Sequence, residues 1–344
     1  MRSRSAKRTP EATPTPISSA TPTPISSATS IQSEMPDTDR SETKPLLSAD
    51  TASQRRTGKP RLLSYDESRR VVPWATDNEY ITGGYRPQLV NISSCLYSAI
   101  GYVHNETVNI HTHSLGAALW AVLLPLHLLP ARFPALGAFP SLPATFTDKA
   151  CMACYILCAI TCLSLSSWFH TVSCSTAEVC ELSHCGDYVG IVVLIVGSIL
   201  PGMYYGFHGT PLLQALYMAG ITAAGLTSAY IVLSPHHRRH RWHRTLTFIA
   251  LGLSAVLPVG HVVLSRGLTF ARERMGFGYI VAGGAAYIFG AVLYAARIPE
   301  SRWPGRFNYI GSSHQIFHCF VLLGSWFQFA ALRWMHVARA VVDA

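Results

Sequence analysis

Apolar positions run continuously in the second part of the chain and are broken only by short polar stretches. Between successive charged residues, the stretches 107–131, 150–177, 188–237, 245–265, 275–296 and 307–332 hold no Lys, Arg, Asp or Glu. A hydrocarbon core of about 30 Å needs about 20 apolar residues as helix, so five of these stretches predict one span each. Residues 188–237 would make a helix of about 75 Å at about 1.5 Å per residue, too long for one crossing. Pro201-Gly202 and the run Gly206–Pro211 (GFHGTP) are turn and breaker residues, so this stretch predicts two spans. The pattern therefore predicts an all-α membrane protein with a seven-transmembrane helix bundle. Apolar residues that run on rather than alternate argue against a closed barrel.

Composition sharpens the division. Hydrophobic residues make up 49% of the chain and charged ones 13%, about half the charged share of a soluble domain. Residues 1–107 hold 24 of the 45 charges, although the remainder of the chain is more than twice as long. A soluble multidomain enzyme and a mainly disordered chain are both excluded. The net charge of +9 points to a membrane surface and not to nucleic acid, because the basic residues fall between apolar runs. The nine cysteines sit mostly inside those runs and imply no disulfide scaffold.

Three regions follow. Residues 1–60 are rich in Thr, Pro and Ser, with Thr13–Ala20 (TPTPISSA) repeated as Thr21–Ala28; they are expected to carry no signal peptide and to form a disordered tail. Glu42 with Leu46-Leu47 resembles an acidic dileucine sorting signal. Residues 61–106 are expected to form a partly helical juxtamembrane segment lying on the membrane, on account of Tyr65, Val71-Val72, Trp74 and Tyr80-Ile81. Residues 107–335 are the seven-span domain. Basic residues of the second part divide seven against seven between the two sides, and the basic cluster Arg238–Arg244 with the stretch Arg55–Arg70 tips the positive-inside rule toward an expected cytoplasmic N-terminus.

Polar residues at membrane depth are costly and therefore candidates for function. Glu106, Asn109 and His113 open span one; Ser166 and His170 close span two; Asp187 opens span three; His314 and His318 open span seven. The start of an odd span and the end of an even one lie on the same side, so all four groups share one face of the membrane. His314 and His318 stand one turn apart on one helix face. With His170 they offer three neutral nitrogens, and three ligands with an open fourth position is the pattern of catalytic zinc. Asp187 is placed to accept or orient a water proton, and Ser166 to hydrogen bond beside it. Glu106 and Asn109 read as network residues. His113, His111, His127, His184, His208 and His261 read as interfacial, and the Cys158–Cys162–Ser166–His170 stripe as close helix packing. Cys151 and Cys154 form a C-x2-C at the other end of span two, with no matching pair.

The stretches Glu106–Gly116 (ETVNIHTHSLG), Ser166–Val172 (SSWFHTV), Asp187–Gly190 (DYVG), Ala295–Gly305 (AARIPESRWPG) and Ser313–His318 (SHQIFH) resemble the adiponectin receptors. These belong to the progestin and adipoQ receptor family, which includes hemolysin III-type proteins. The resemblance runs over about residues 61–334. It implies seven helices, a cytoplasmic N-terminus, and a zinc ion held by His170, His314 and His318 with Asp187 and Ser166 beside it. It further implies ceramidase-like lipid hydrolysis, signalling on ligand binding, and a part in zinc and lipid homeostasis. His111 departs from the pattern, standing where the receptors often carry an aromatic residue. The short outer loops carry no hormone-binding pattern, so binding of adiponectin is not expected.

The leading expectation is a zinc-dependent intramembrane hydrolase acting on a lipid amide such as ceramide and releasing fatty acid. An alternative is a signalling receptor with an extracellular ligand, in which zinc is purely structural. A third, a metal-handling or channel-like protein, needs polar residues along a pore, and spans four to six carry almost none. The expected location is the plasma membrane or an endomembrane.

Overall fold

A computed structural model describes residues 60–128, 145–235 and 240–343. The Thr/Pro/Ser-rich tail, the Glu42…Leu46-Leu47 pattern and the first part of the basic cluster, 236–239, lie outside the described residues. Among those residues the chain is helical apart from turns and one bridge between Leu63 and Tyr85. The helices are α1 (Tyr65–Val71), α2 (Ile92–Gly101), α3 (Thr107–Leu128), α4 (Phe146–Val172), α5 (Ala177–Gly206), α6 (Pro211–Leu233), α7 (Arg241–Leu253), α8 (Val256–Met275), α9 (Phe277–Ala296) and α10 (Ser313–Asp343).

Among the described residues, six segments are long and apolar enough to cross a membrane: α4, α5, α6, α7 with α8 as one stretch, α9, and α10 over Ser313–Ala340. Helix α3 has 22 residues, a length of about 33 Å. Its first turns carry Asn109, His111, Thr112, His113 and Ser114, which dilute its apolar character.

Two boundaries differ from the sequence pattern. Helix α5 runs straight through Pro201-Gly202 and ends at Gly206, so the break falls at Phe207–Thr210, where Gly209 takes φ 84°. A proline inside a long helix removes one hydrogen bond, whereas a left-handed residue turns the chain out of the helix. The expected fifth span, 245–265, is instead two helices that meet at Ser254-Ala255 and extend from Arg241 to Met275. The backbone leaves helical geometry again at Gly267, with φ 88° and ψ 158°.

Helix α4 packs between α3 and α5, α5 continues onto α6, and α9 lies along α10. Helix α10 returns to touch α3, α4 and α5, so the first and last long helices close the bundle. The core includes Trp120, Met152, Tyr155, Ile156, Leu163, Phe329, Leu332 and Met335. Trp120 meets Phe329 and Tyr155 edge-on, at 5.3 Å and 5.7 Å between ring centroids, and the Tyr155 hydroxyl donates to the Ser325 carbonyl. Contact between α4 and α5 is close enough that a Cβ at Gly190 would lie 3.0 Å from the Cys162 Cα, and one at Gly197 would overlap the Cys158 sulfur. The stripe of small residues on α4 is therefore a packing surface, as its spacing predicts.

Residues 61–106 fold back onto one end of the bundle. Leu89 N–H donates to the Cys174 carbonyl at 3.0 Å, Thr82 N–H to Asn308 Oδ1 at 2.8 Å, and Gly305 N–H to the Tyr80 carbonyl at 2.9 Å. Helix α2 buries Cys95, Ser98 and Ala99 against the bundle and exposes Ile92, Leu96, Tyr97 and Ile100. Small residues inward and bulky apolar residues outward is the reverse of a soluble amphipathic helix.

Candidate metal centre

The first turns of α3, the last turn of α4, the third turn of α5 and the start of α10 meet at this end of the bundle. Asp187 lies ten residues into α5, because that helix begins at Ala177, before the charge-free stretch that sequence pattern marks. Chain direction alone predicts that the four polar groups share a face, and the packing brings them together.

At the centre are His170, His314 and His318, whose candidate ligand atoms all lie within 4.8 Å of one another. Their ring centroids are 4.9 Å apart in each of the three pairs, with the planes crossing at 68° to 78°. Stacking would bring rings closer and parallel; the crossed planes exclude it, and one nitrogen from each ring lies within reach of a common point. The second nitrogens are held from outside. His170 Nδ1 lies 2.7 Å from Glu106 Oε2, which also accepts from Asn109 Nδ2 at 2.7 Å. His318 Nδ1 lies 3.2 Å from the Asn109 carbonyl and 3.2 Å from Thr112 Oγ1. Metal-ligating histidines commonly give their free N–H to a carboxylate or a carbonyl. That leaves His170 Nε2 buried and without a hydrogen-bond partner, a costly state unless something fills it. The residues fit a metal ion: the three-histidine group can hold one, and a nitrogen donor set suits zinc.

Asp187 and Ser166, both buried, face one another between α5 and α4, with His170 close by. His113 departs from the interfacial reading. It is 3% exposed, stacks on His318 at 3.6 Å with an interplanar angle of 6°, and both its nitrogens are buried and unpartnered. His111 bonds the Ala99 carbonyl at 2.8 Å and His261 the Tyr217 hydroxyl at 2.8 Å, while His184 stacks on Phe169. Cys151 and Cys154 belong to the opposite end of α4 and take no part in the site.

Sequence pattern missed four residues around this centre. Thr112 sits beside His318. His104, fully buried, accepts from Glu106 N–H at 3.1 Å through Nδ1, and burial, helped by the nearby Arg86 charge, lowers its pKa from the usual 6.5 to about 3. Arg86 and Glu300 are buried to 3% and 0% exposure. Both lie outside the apolar runs, where a charge carries no signal of burial.

The sequence model of the haemolysin-III related proteins matches residues 101–329, the stretch that holds every member of the histidine group. The chain belongs to the haemolysin-III related family. Relatives in this family include the adiponectin receptor protein of Drosophila melanogaster, 33% identical over 275 residues, covering 79% of this chain and 60% of the relative. Progestin and adipoQ receptor-like protein 1 of Caenorhabditis elegans is 31% identical, covering 81% and 62%. Heptahelical transmembrane protein ADIPOR1 of Oryza sativa subsp. japonica is 33% identical, covering 79% and 83%. The chain thus spans about three fifths of the length of the first two relatives. With six apolar membrane-length helices among the described residues and these relatives, this haemolysin-III related protein is a multi-pass integral membrane protein.

Proposed function

We propose that the chain is a zinc-dependent intramembrane hydrolase that cleaves the amide of a lipid such as ceramide and releases a fatty acid. In this reading α3 is span one and brings the six apolar segments to seven spans, in line with its length and the heptahelical name of the rice relative, and the N-terminus is cytoplasmic. Residues 1–60 are a tail, 61–106 a juxtamembrane segment, and 107–335 the membrane domain. The carrying observation is the buried, partnerless His170 Nε2 turned toward two further imidazoles, with an acid and a hydroxyl beside it.

Zinc, when bound, supplies Lewis acidity that activates water near neutral pH and stabilises charge developing on a carbonyl oxygen. The chain supplies the rest. Glu106 accepts the Nδ1 proton of His170, and the Asn109 carbonyl that of His318, which leaves Nε2 of both rings as the ligating atoms. Asp187 takes the proton released by the attacking water and returns it to the departing amine nitrogen. Ser166 orients the Asp187 carboxylate. The surrounding helices exclude bulk water, which strengthens each of these electrostatic contacts.

A second reading is a signalling receptor in which the metal only ties α4 to α10. It is favoured by the receptor names of the relatives and by ligands that come from these two helices. Purified protein assayed for zinc and for fatty acid release from ceramide separates the two. About one zinc per chain with release is expected. Zinc without turnover on any lipid amide would favour the receptor, and zinc-free protein would overturn both.

A further inference from the structure

We infer that Arg86 and Glu300 are positioning residues for this centre: two buried opposite charges, from segments outside the spans, that pin the ends of the two imidazole-bearing helices. The inference rests on the metal reading above and deepens it.

The last carbonyls of a helix have no partner within it, and the helix dipole makes that end negative. Arg86 fills this place on α4. Its Nη2 donates to the His170 carbonyl at 2.6 Å and its Nη1 to the Thr171 carbonyl at 2.8 Å. Ser98 Oγ at 2.9 Å and Ser173 Oγ at 3.4 Å complete the cage. A buried guanidinium is costly unless its donors are used, and here they are used on the backbone of the residue whose Nε2 is open.

Glu300 does the converse at α10. It accepts from the Ser313 backbone N–H at 2.8 Å and from the Ser313 hydroxyl, so a negative charge sits at the positive N-terminus of that helix. His314 is the next residue and His318 follows one turn later. Asn78 Nδ2 donates to Glu300 at 3.1 Å, joining this anchor to the segment that carries Arg86. Three imidazoles from two helices converge only if neither helix slips along its axis. A slip of one residue is about 1.5 Å, enough to spoil a metal site. The anchors stop that slip at the ligand end, which makes residues 61–106 part of the metal centre.

The same bundle offers a control. Arg339 bonds Asp148 Oδ1 at 2.9 Å and the Tyr204 hydroxyl at 2.6 Å. Asp148 lies 22 residues before His170, about 33 Å away along α4.

Zinc affinity would be measured on the full chain in detergent by competition with a chromophoric chelator, and melting with zinc and after chelation. Arg86→Gln and Glu300→Gln should each weaken the zinc Kd by about 10–100-fold. Arg86→Lys, a single ammonium in place of a fork, should fall between Arg86→Gln and wild type. Arg339→Gln should lower melting in both states and leave the zinc Kd unchanged. Wild-type zinc affinity in Arg86→Gln and Glu300→Gln overturns the anchors, whatever happens to melting. Should neither Gln variant fold, Arg86→Lys decides: affinity equal to wild type overturns the proposal. A wild-type chain that takes up no zinc overturns the metal reading itself, an outcome visible before any variant is compared.

Discussion

Glu106→Gln changes one atom and removes one charge, yet it should strip much of the zinc from the protein. In the native site a single carboxylate oxygen accepts two N–H groups at 2.7 Å, from His170 and Asn109. A hydrogen bond to a charged acceptor contributes about 1.5–3 kcal/mol and a neutral one about 0.5–1.5 kcal/mol. The amide keeps one oxygen for both donors, so the loss is that of the acceptor's charge. The Glu106 side chain is 24% exposed, so solvent screens part of the difference. The net loss is about 1.4–2.7 kcal/mol in fixing the His170 ring, a 10–100-fold weaker zinc Kd. Competition titration of wild type and variant at one pH measures this directly. Equal affinities would refute the idea that Glu106 holds the Nδ1 proton and frees Nε2 for metal. A weaker Kd with unchanged metal-free melting would separate ring orientation from loss of fold.

Other consequences can be checked on the same preparations. His314→Ala removes one of three nitrogen ligands, so zinc per chain should fall from about one toward zero and the zinc-dependent rise in melting temperature should vanish; unchanged metal content would end the ligand assignment. Asp187→Asn keeps shape but not the proton acceptor, so zinc should remain while ceramide hydrolysis drops about 10²-fold or more; full hydrolysis would remove Asp187 from the chemistry. Gly190→Ala places a methyl 3.0 Å from the Cys162 backbone, one turn from both Asp187 and Ser166, and should cost about 1–3 kcal/mol of stability with reduced hydrolysis; wild-type melting would show that α4 and α5 can separate freely. His104 is held near pKa 3 in the fold, against an ordinary 6.5. The unfolded chain therefore binds its proton first, and stability present above pH 6.5 is lost as pH falls from there toward 3, by about 2 kcal/mol at pH 5. His104→Asn, which keeps an acceptor for Glu106 N–H, should flatten melting temperature over that range, and an unchanged acid slope would count against the assignment.

Much of the architecture is written in one dimension. A run of apolar residues long enough for a bilayer has to be a helix, because no water remains to satisfy an open backbone. The shared face of Glu106, His170, Asp187 and His314 also needs only chain direction and the order of spans. Spacing puts His314 and His318 on one side of α10 before any neighbour is known. Where local rules compete, the one-dimensional signal is weaker. Pro201-Gly202 looks like a break, yet α5 tolerates it under the packing of α4 and α6, and the fifth span joins two helices whose charged flanks conceal their length.

Sequence alone therefore determined that this chain spans a membrane by helices and that His170, His314 and His318 lie at one end of them. Only the tertiary structure decided which His170 nitrogen is left without a partner, because that depends on Glu106 reaching Nδ1 from the start of α3. It likewise decided that Arg86 and Glu300 are buried beside the histidine group, since both sit in polar stretches where a charge ordinarily stays in water. Periodicity reports what one helix offers to its surroundings. The partners that satisfy a buried charge or orient an imidazole come from segments up to 222 residues away, as with Asn78 and Glu300, and are set by the packed fold.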